Sequence, residues 1–330
     1  MWIRVHVLAE LLVPGPPCNK AIRRDPMTDC IGIDIGYGFT KTYRQEDRRF
    51  FPTAVALMTK EDTFADMSPV AVNGHRFLVG KDAEREGGAI DTRQSGFVAS
   101  DAWLAVLGHC FRINDFISGE VVLGVPPGLY SKDYSRKIVE AIRSSDIGVN
   151  GEPYRISGNV KIIPQGAGIF FCHILDHQGD LRKNVAVIDI GHNTVDMVFF
   201  AQGKYVESAT ESQEIGVSLV LHSIMKAFYR EHRLPIDFEA ALDILRGREI
   251  TYLGKAYAVD VQKEIDAYGK RIRSVIGRYL EKLPHHPDLG IIGGGGAAIR
   301  DLSSGHNLLT VSDPAMANAI GYWYYGRNAK

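Results

Sequence analysis

Two stretches far apart in the chain set the same residue types at the same spacing. Residues 30–41 read Cys-Ile-Gly-Ile-Asp-Ile-Gly-Tyr-Gly-Phe-Thr-Lys, and residues 185–196 read Val-Ala-Val-Ile-Asp-Ile-Gly-His-Asn-Thr-Val-Asp. Each is an apolar run suited to a buried strand, closed by Asp-Ile-Gly (Asp34 to Gly36, Asp189 to Gly191) and turned into a second apolar strand. Glycine lets backbone come close to a ligand, and successive N–H groups in such a turn can face an anion. Two strand-end carboxylates, Asp34 and Asp189, would hold Mg²⁺ mainly through water, as that ion prefers. The chemistry implied is a phosphate chain and its metal held between two similar halves.

The residues around each turn extend this reading. Lys41 follows Asp34 by seven positions, on the returning strand, where it could meet a phosphate as a point charge. Tyr37 and Gly38 complete the first turn. In the second copy His192 and Asn193 fill the turn, Thr194 offers a hydroxyl donor, and Asp196 is placed to orient the turn. A third element, Gly293-Gly294-Gly295-Gly296 after Ile291-Ile292, is a floor free of side chains, suited to a nucleoside. It matches neither the dinucleotide-binding GxGxxG fingerprint nor the Walker lysine motif. For one hairpin alone, the plain reading would be an ordinary glycine turn; the second copy argues against it.

The elements that must position these residues recur in order. Residues 30–35, 38–44 and 50–57 predict a three-stranded meander, and 70–80 a small hairpin around Asn73-Gly74. Helices are predicted over 98–112 and 133–143, strands over 121–125 and 160–163, and a helix over 165–175. The second half predicts strands at 185–190, 195–201 and 204–208, and a helix over 216–230. A mostly helical stretch over 236–282 follows, then a strand at 289–292, a short helix over 297–302 and a last helix over 315–325. Meander, helix, strand and helix, stated twice, is an internal duplication of an α/β unit.

Bulk properties narrow the classes. At 330 residues the chain exceeds what one core usually serves. A net charge of -1 gives no global pull toward nucleic acid or anionic membrane, so any DNA role would pass through a partner. Four scattered cysteines with no CxxC suggest neither zinc nor a disulfide framework, and a reducing cytoplasm is expected. His173 and His177 stand at helical spacing but lack a third ligand. Residues 1–26, broken by Pro14-Gly15-Pro16-Pro17, lack the clean apolar centre of a signal peptide and read as an extension outside the working core.

With these residues in place, the chain resembles the actin, heat-shock-chaperone and sugar-kinase ATPase superfamily. Asp34-x-Gly-x-Gly-x-x-Lys41 resembles its first phosphate motif and Asp189-x-Gly-x-x-Thr-x-Asp196 its second. Ile292 to Gly296 resembles its adenosine motif, and 160–171 and 315–325 its connecting helices. Within that superfamily the stretches Gly36 to Lys41, Leu123 to Pro127, Gly216 to Val220 and Ile291 to Ala298 are most similar to the plasmid-segregation actins, the ParM/StbA group, and their archaeal relatives.

The resemblance implies two duplicated RNase H-like (actin-type) α/β domains flanking a nucleotide cleft. Domain I would span 27–164 with an insertion near 60–95, and domain II 165–330 with a helical insertion near 236–285. It implies an ATPase that polymerises with ATP (GTP being also open) and Mg²⁺, working through a DNA-binding adaptor. Asp34 and Asp189 would sit near the metal; Gly36 to Gly38, Lys41 and Gly191 to Thr194 would hold phosphates; Glu214 and Gly216 would lie near the ribose; Gly294 to Gly296 would floor the adenosine. Gln165 stands where the family positions the attacking water; the plain reading of Gln165 is a helix cap. His192 either touches the γ-phosphate or simply faces solvent. A small-molecule kinase and a non-polymerising regulatory ATPase are the competing readings.

Overall fold

The structure, a computed structural model, describes residues 29–58, 67–86, 90–94, 96–149, 151–177, 182–299, 302 and 306–328. The extension 1–26 and residues 60–66, 87–89 and 95 of the expected 60–95 insertion lie outside the described residues. In chain order the elements are β1 (Cys30–Ile35), β2 (Phe39–Arg44), β3 (Asp47–Pro52), β4 (Val55–Leu57), β5 (Val70–Val72), β6 (His75–Val79), α1 (Lys81–Glu86), α2 (Asp101–Ile113), β7 (Glu120–Val125), α3 (Lys132–Ser144), β8 (Ile147–Val149), β9 (Glu152–Tyr154), β10 (Val160–Pro164) and α4 (Ala167–His177). There follow β11 (Val185–Ile190), β12 (Val195–Ala201), β13 (Lys204–Tyr205), β14 (Glu211–Gln213), α5 (Val217–His232), α6 (Phe238–Leu245), β15 (Ile250–Tyr252), β16 (Lys255–Tyr257), α7 (Gln262–Lys282), β17 (Leu289–Gly293), β18 (Leu309–Thr310) and α8 (Ala317–Asn328).

The described residues fold as two compact units, one within 29–177 together with 316–328, the other within 182–315. The division falls between 177 and 182, where the sequence predicts it at 164/165, and α8 belongs to the first unit. Both units carry the same sheet. In the first the order is β10-β7-β1-β2-β3; in the second it is β13-β12-β11-β17-β18, with β14 also paired to β12. In each, the two meander hairpins are antiparallel and the later strands join parallel. The duplication read from the two motifs is therefore a duplication of topology.

In the first unit β1 is wholly buried, so it reads as an unbroken apolar run rather than an alternating one. Helix α2 starts at Ser100, whose side chain accepts from the Trp103 N–H. It buries Trp103, Leu104, Leu107 and Phe111 against the core. Helix α8 lies on β1 and α4 through small residues. A Cβ at Gly321 would stand 1.7 Å from the Gly168 carbonyl oxygen, and one at Gly168 would stand 2.5 Å from Asn318 Cα. The backbones approach as closely as glycine permits. A second sheet, β4-β6-β5-β8-β9, is built on the predicted hairpin. Its turn, Asn73 (φ 50°) and Gly74 (φ 83°), has both residues left-handed, as a two-residue hairpin requires.

The second unit packs α5, α6 and α7 with its sheet. Ile224 and Phe228 of α5, Ala241 and Ile244 of α6, and Ile272, Ile276 and Tyr279 of α7 share one core with Ile188 and Phe199. Residues 236–285, expected as an insertion, thus supply core side chains, and the β15–β16 hairpin within them was not anticipated.

Other differences have local causes. The run 50–57 does not form one strand. β3 ends at Pro52, where the Thr53 N–H still bonds the Gly38 carbonyl at 2.9 Å, and β4 joins the other sheet. Where a helix over 297–302 is expected, a 3-10 turn covers Gly295–Ala298, and residues 300 and 301 lie outside the described residues. Strands β8, β9, β14 and β18 are two or three residues long, too short to show a period. No described helix is long and apolar enough to cross a membrane.

Candidate functional site

The first unit gathers Asp34, Lys41 and Gln165. Asp34 and Lys41 are directly opposed across β1 and β2, so the hairpin itself brings their side chains to one face. Lys41 Nζ donates to Asp34 Oδ2 at 3.0 Å. Gln165, at the end of β10, donates from Nε2 to Asp34 Oδ1 at 3.1 Å. Asp34 and Gln165 are both buried. The backbone after Gln165 turns at Gly166 (φ 84°), and its N–H donates to Asn318 Oδ1 at 3.1 Å. Gln165 therefore precedes α4 rather than capping it, and its amide is spent on a carboxylate, not on the helix.

The turn beyond Asp34 is held from below. The Gly36 N–H bonds the Phe39 carbonyl at 3.2 Å, the Thr53 N–H bonds the Gly38 carbonyl at 2.9 Å, and the Thr92 hydroxyl donates to the Tyr37 carbonyl at 2.9 Å. The carbonyls of residues 37, 38 and 39 are thus turned to protein partners, as a backbone that is to receive an anion requires.

The second unit repeats the device with different parts. The Gly191 N–H bonds the Thr194 carbonyl at 2.9 Å. The carbonyls of 191, 192 and 193 accept from the N–H groups of Val217, Ser218 and Gly216, at 3.0, 2.7 and 2.9 Å. The first N–H groups of α5, which would otherwise lack intrahelical partners, are consumed in buttressing the turn. Gly216 is required by this contact, since a Cβ there would stand 2.5 Å from the His192 carbonyl oxygen. Its position is against the turn backbone, and Glu214 is exposed beside it.

Asp196 stands opposite Asp189 in the register, at the place Lys41 takes opposite Asp34. The repeat exchanges a cation for an acid. Asp196 is buried and accepts from Thr194 Oγ1 at 2.9 Å and from Ser212 Oγ of β14. The Thr194 hydroxyl, expected as a donor toward a ligand, already gives its proton to Asp196. Ser212 was not anticipated, because no period marks its strand.

The glycine run adjoins Asp189. Asp189 and Gly293 are register partners in β11 and β17. Gly294 is left-handed (φ 82°), and a Cβ there would stand 2.3 Å from Asp189 Oδ1. A Cβ at Gly296 would stand 2.3 Å from Ile190 Cγ2. Gly295 is exposed, and a Cβ there would meet no atom within 4 Å. Of the run, Gly294 and Gly296 serve packing, and Gly295 faces open space.

Among the described residues no group of three or more His, Cys, Asp or Glu could hold a metal ion. Mg²⁺ does not ask for such a cage; one or two carboxylates, waters and substrate phosphates suffice. The buried carboxylates Asp34 and Asp189, each ending a strand beside a glycine turn, fit that demand. The pair His173 and His177 stacks ring on ring at 4.4 Å, and His177 Nδ1 donates to the His173 carbonyl at 3.2 Å, which is helix packing.

Residues 32–168 match the model for the N-terminal domain of actin-like proteins, and residues 187–302 that for the C-terminal domain of the archaeal MreB-like actin homologue. A comparison with curated protein sequences finds no match. Among solved structures, the ADP complex of the archaeal actin homologue Ta0583 shares the fold with a TM-score of 0.73 and 20% identity, over 91% of this chain and 100% of that one. A ParM from a 15-stranded filament of Clostridium botulinum gives 0.69 and 19%, over 91% and 99%. Bacillus thuringiensis ParM with AMPPNP gives 0.68 and 13%, over 91% and 98%. With an actin-type domain matched in each half and the duplicated sheet to carry it, the chain belongs to the actin-like proteins.

Proposed function

We propose that this chain is a nucleotide-dependent, filament-forming ATPase that segregates DNA, a plasmid, through a DNA-binding adaptor. The observation that carries the ATPase reading is the Gln165 amide on the Asp34 carboxylate, with Lys41 on the other oxygen. An amide whose nitrogen donates to a carboxylate keeps its oxygen as an acceptor. Oε1 of Gln165 can then take a hydrogen bond from a water and orient it. Phosphoryl transfer asks mainly for such positioning and for charge neutralisation.

In this reading Gly36 to Gly38, Lys41 and Gly191 to Asn193 hold the phosphates, and Gly293 to Gly296, with Gly295 foremost, meets the nucleoside. Asp34 and Asp189 would hold Mg²⁺ through water; the ion would neutralise phosphate charge. ATP is the proposed nucleotide, with GTP also admitted. Ta0583 with ADP and Bacillus thuringiensis ParM with AMPPNP support the nucleotide, and the Clostridium botulinum ParM filament supports self-association. A near-neutral chain supports an adaptor rather than direct DNA contact.

Sedimentation and electron microscopy of the purified protein with Mg-ATP, Mg-ADP and no nucleotide, alongside phosphate release, test the proposal. Filaments that require ATP are expected. Phosphate release from protein that stays soluble at well above micromolar concentration would overturn the filament reading and leave the ATPase.

A further inference from the structure

Phe238 is the first residue of α6, and its side chain is 38% exposed. Two imidazoles fix its place. The His192 ring, from the second Asp-Ile-Gly turn, stands 5.8 Å away with the planes at 66°. The His222 ring, from α5, stands 4.7 Å away at 90°. Both are edge-to-face arrangements. The His192 backbone is held, its carbonyl accepting from the Ser218 N–H at 2.7 Å, and the His222 ring is tied to backbone, Nδ1 donating to the Ser218 carbonyl at 2.7 Å. Asp237 caps α6, accepting from the Ala240 N–H at 2.8 Å, so the helix start is held as well. An aromatic ring is thus braced beside the candidate phosphate turn and left partly open to solvent.

We infer that Phe238, braced by His192 and His222, stacks on the base of the nucleotide whose phosphates the second turn receives. The inference rests on the reading of residues 191–193 as a phosphate turn. A rigid aromatic face next to that turn matches what a nucleoside presents beyond its phosphates, a flat π-system with an apolar face. Stacking is tolerant of base identity, because every base has such a face. The contact therefore recognises a nucleobase as a class, and adenine and guanine should gain from it alike. His192 contributes by positioning the ring rather than by touching phosphate.

The test is isothermal titration of the full chain and its Phe238→Ala, Phe238→Leu and Phe238→Trp variants with Mg-ATP, Mg-GTP and Mg-tripolyphosphate. Stacking on an aromatic ring predicts that Phe238→Ala weakens ATP and GTP by about tenfold or more. Phe238→Leu should weaken them nearly as much, Phe238→Trp should restore them, and tripolyphosphate should bind all four proteins equally. Unchanged ATP affinity in Phe238→Ala would overturn the stacking contact. Loss of tripolyphosphate together with ATP would also overturn it, making the ring a prop for the turn. Full recovery in Phe238→Leu would show apolar packing in place of stacking. A wild-type chain that binds neither nucleotide nor tripolyphosphate would remove the phosphate reading itself, and the inference with it.

Discussion

Gln165 donates its amide to Asp34 Oδ1 across 131 residues of sequence, at 3.1 Å. The bond fixes which end of the amide is left for a ligand, and that end is an acceptor. Truncation should therefore strike hydrolysis and spare binding. Gln165→Ala is expected to lower the rate of phosphate release by about a hundredfold, on the order of what misplacing a reactant costs, with ATP affinity kept within a few-fold. Single-turnover phosphate release and a binding titration on the same variant check it. An unchanged hydrolysis rate would remove Gln165 from the mechanism.

Lys41 neutralises a carboxylate that is almost out of water. Its own side chain is 19% exposed, and that of Asp34 is 4% exposed. Removing one partner of such a pair costs more than removing both, because a lone buried charge remains. Lys41→Met is expected to destabilise the first unit by about 3 kcal/mol. Asp34→Asn with Lys41→Met should recover more than half of that. Urea midpoints of the single and double variants, read as a cycle, measure the coupling; additive losses would show that the pair carries no mutual stabilisation.

The glycine run separates structure from binding. Gly294→Ala meets Asp189 Oδ1 at 2.3 Å in a left-handed backbone. Overpacking of this kind costs on the order of 1–3 kcal/mol, and the conformation adds to it. Gly295→Ala meets nothing within 4 Å and should leave the unfolding midpoint where it is while weakening ATP. Thermal melts with nucleotide titrations distinguish the two. Equal destabilisation by both would show the run to be packing throughout.

The parts of the site legible in the sequence were those written as local patterns. Asp34 and Lys41 share a hairpin, so the pattern placed Lys41 on the returning strand and repeated the spacing in Asp189 and Asp196; that each pair is directly opposed is seen in the strand register. The duplicated sheet followed from the same runs. Supports that come from afar left no local trace. Asn318 reaches the Gly166 N–H from the last helix, Thr92 reaches the Tyr37 carbonyl, and Phe238 meets His192 across two elements. Each is an ordinary residue in an ordinary pattern, made functional by tertiary placement. Gly216, which the resemblance places near a ribose, has a further constraint of the same kind: its hydrogen atom makes room for the backbone of the turn.

Acid should weaken the first unit through His109 of α2. Burial, with the Arg112 guanidinium adding to it, holds this imidazole down at about 4, against an ordinary 6.5. Arg112 Nη2 lies 2.6 Å from His109 Nδ1, and a guanidinium can only donate, so Nδ1 must accept and cannot carry a proton. The ring also stands edge-on to Phe51 at 4.6 Å. Because the folded state keeps the ring neutral and the unfolded state protonates it, the unfolded chain binds the extra proton as pH falls through 6.5. Stability is then lost between pH 6.5 and about 4, with a limiting slope of about 1.4 kcal/mol per pH unit from this group. His109→Gln keeps an acceptor for Arg112 and has nothing to titrate. Urea unfolding of both proteins from pH 7 to pH 4.5 should show the wild type falling more steeply than the variant. Parallel pH profiles would mean that His109 takes up its proton in the folded chain as readily as in the unfolded one.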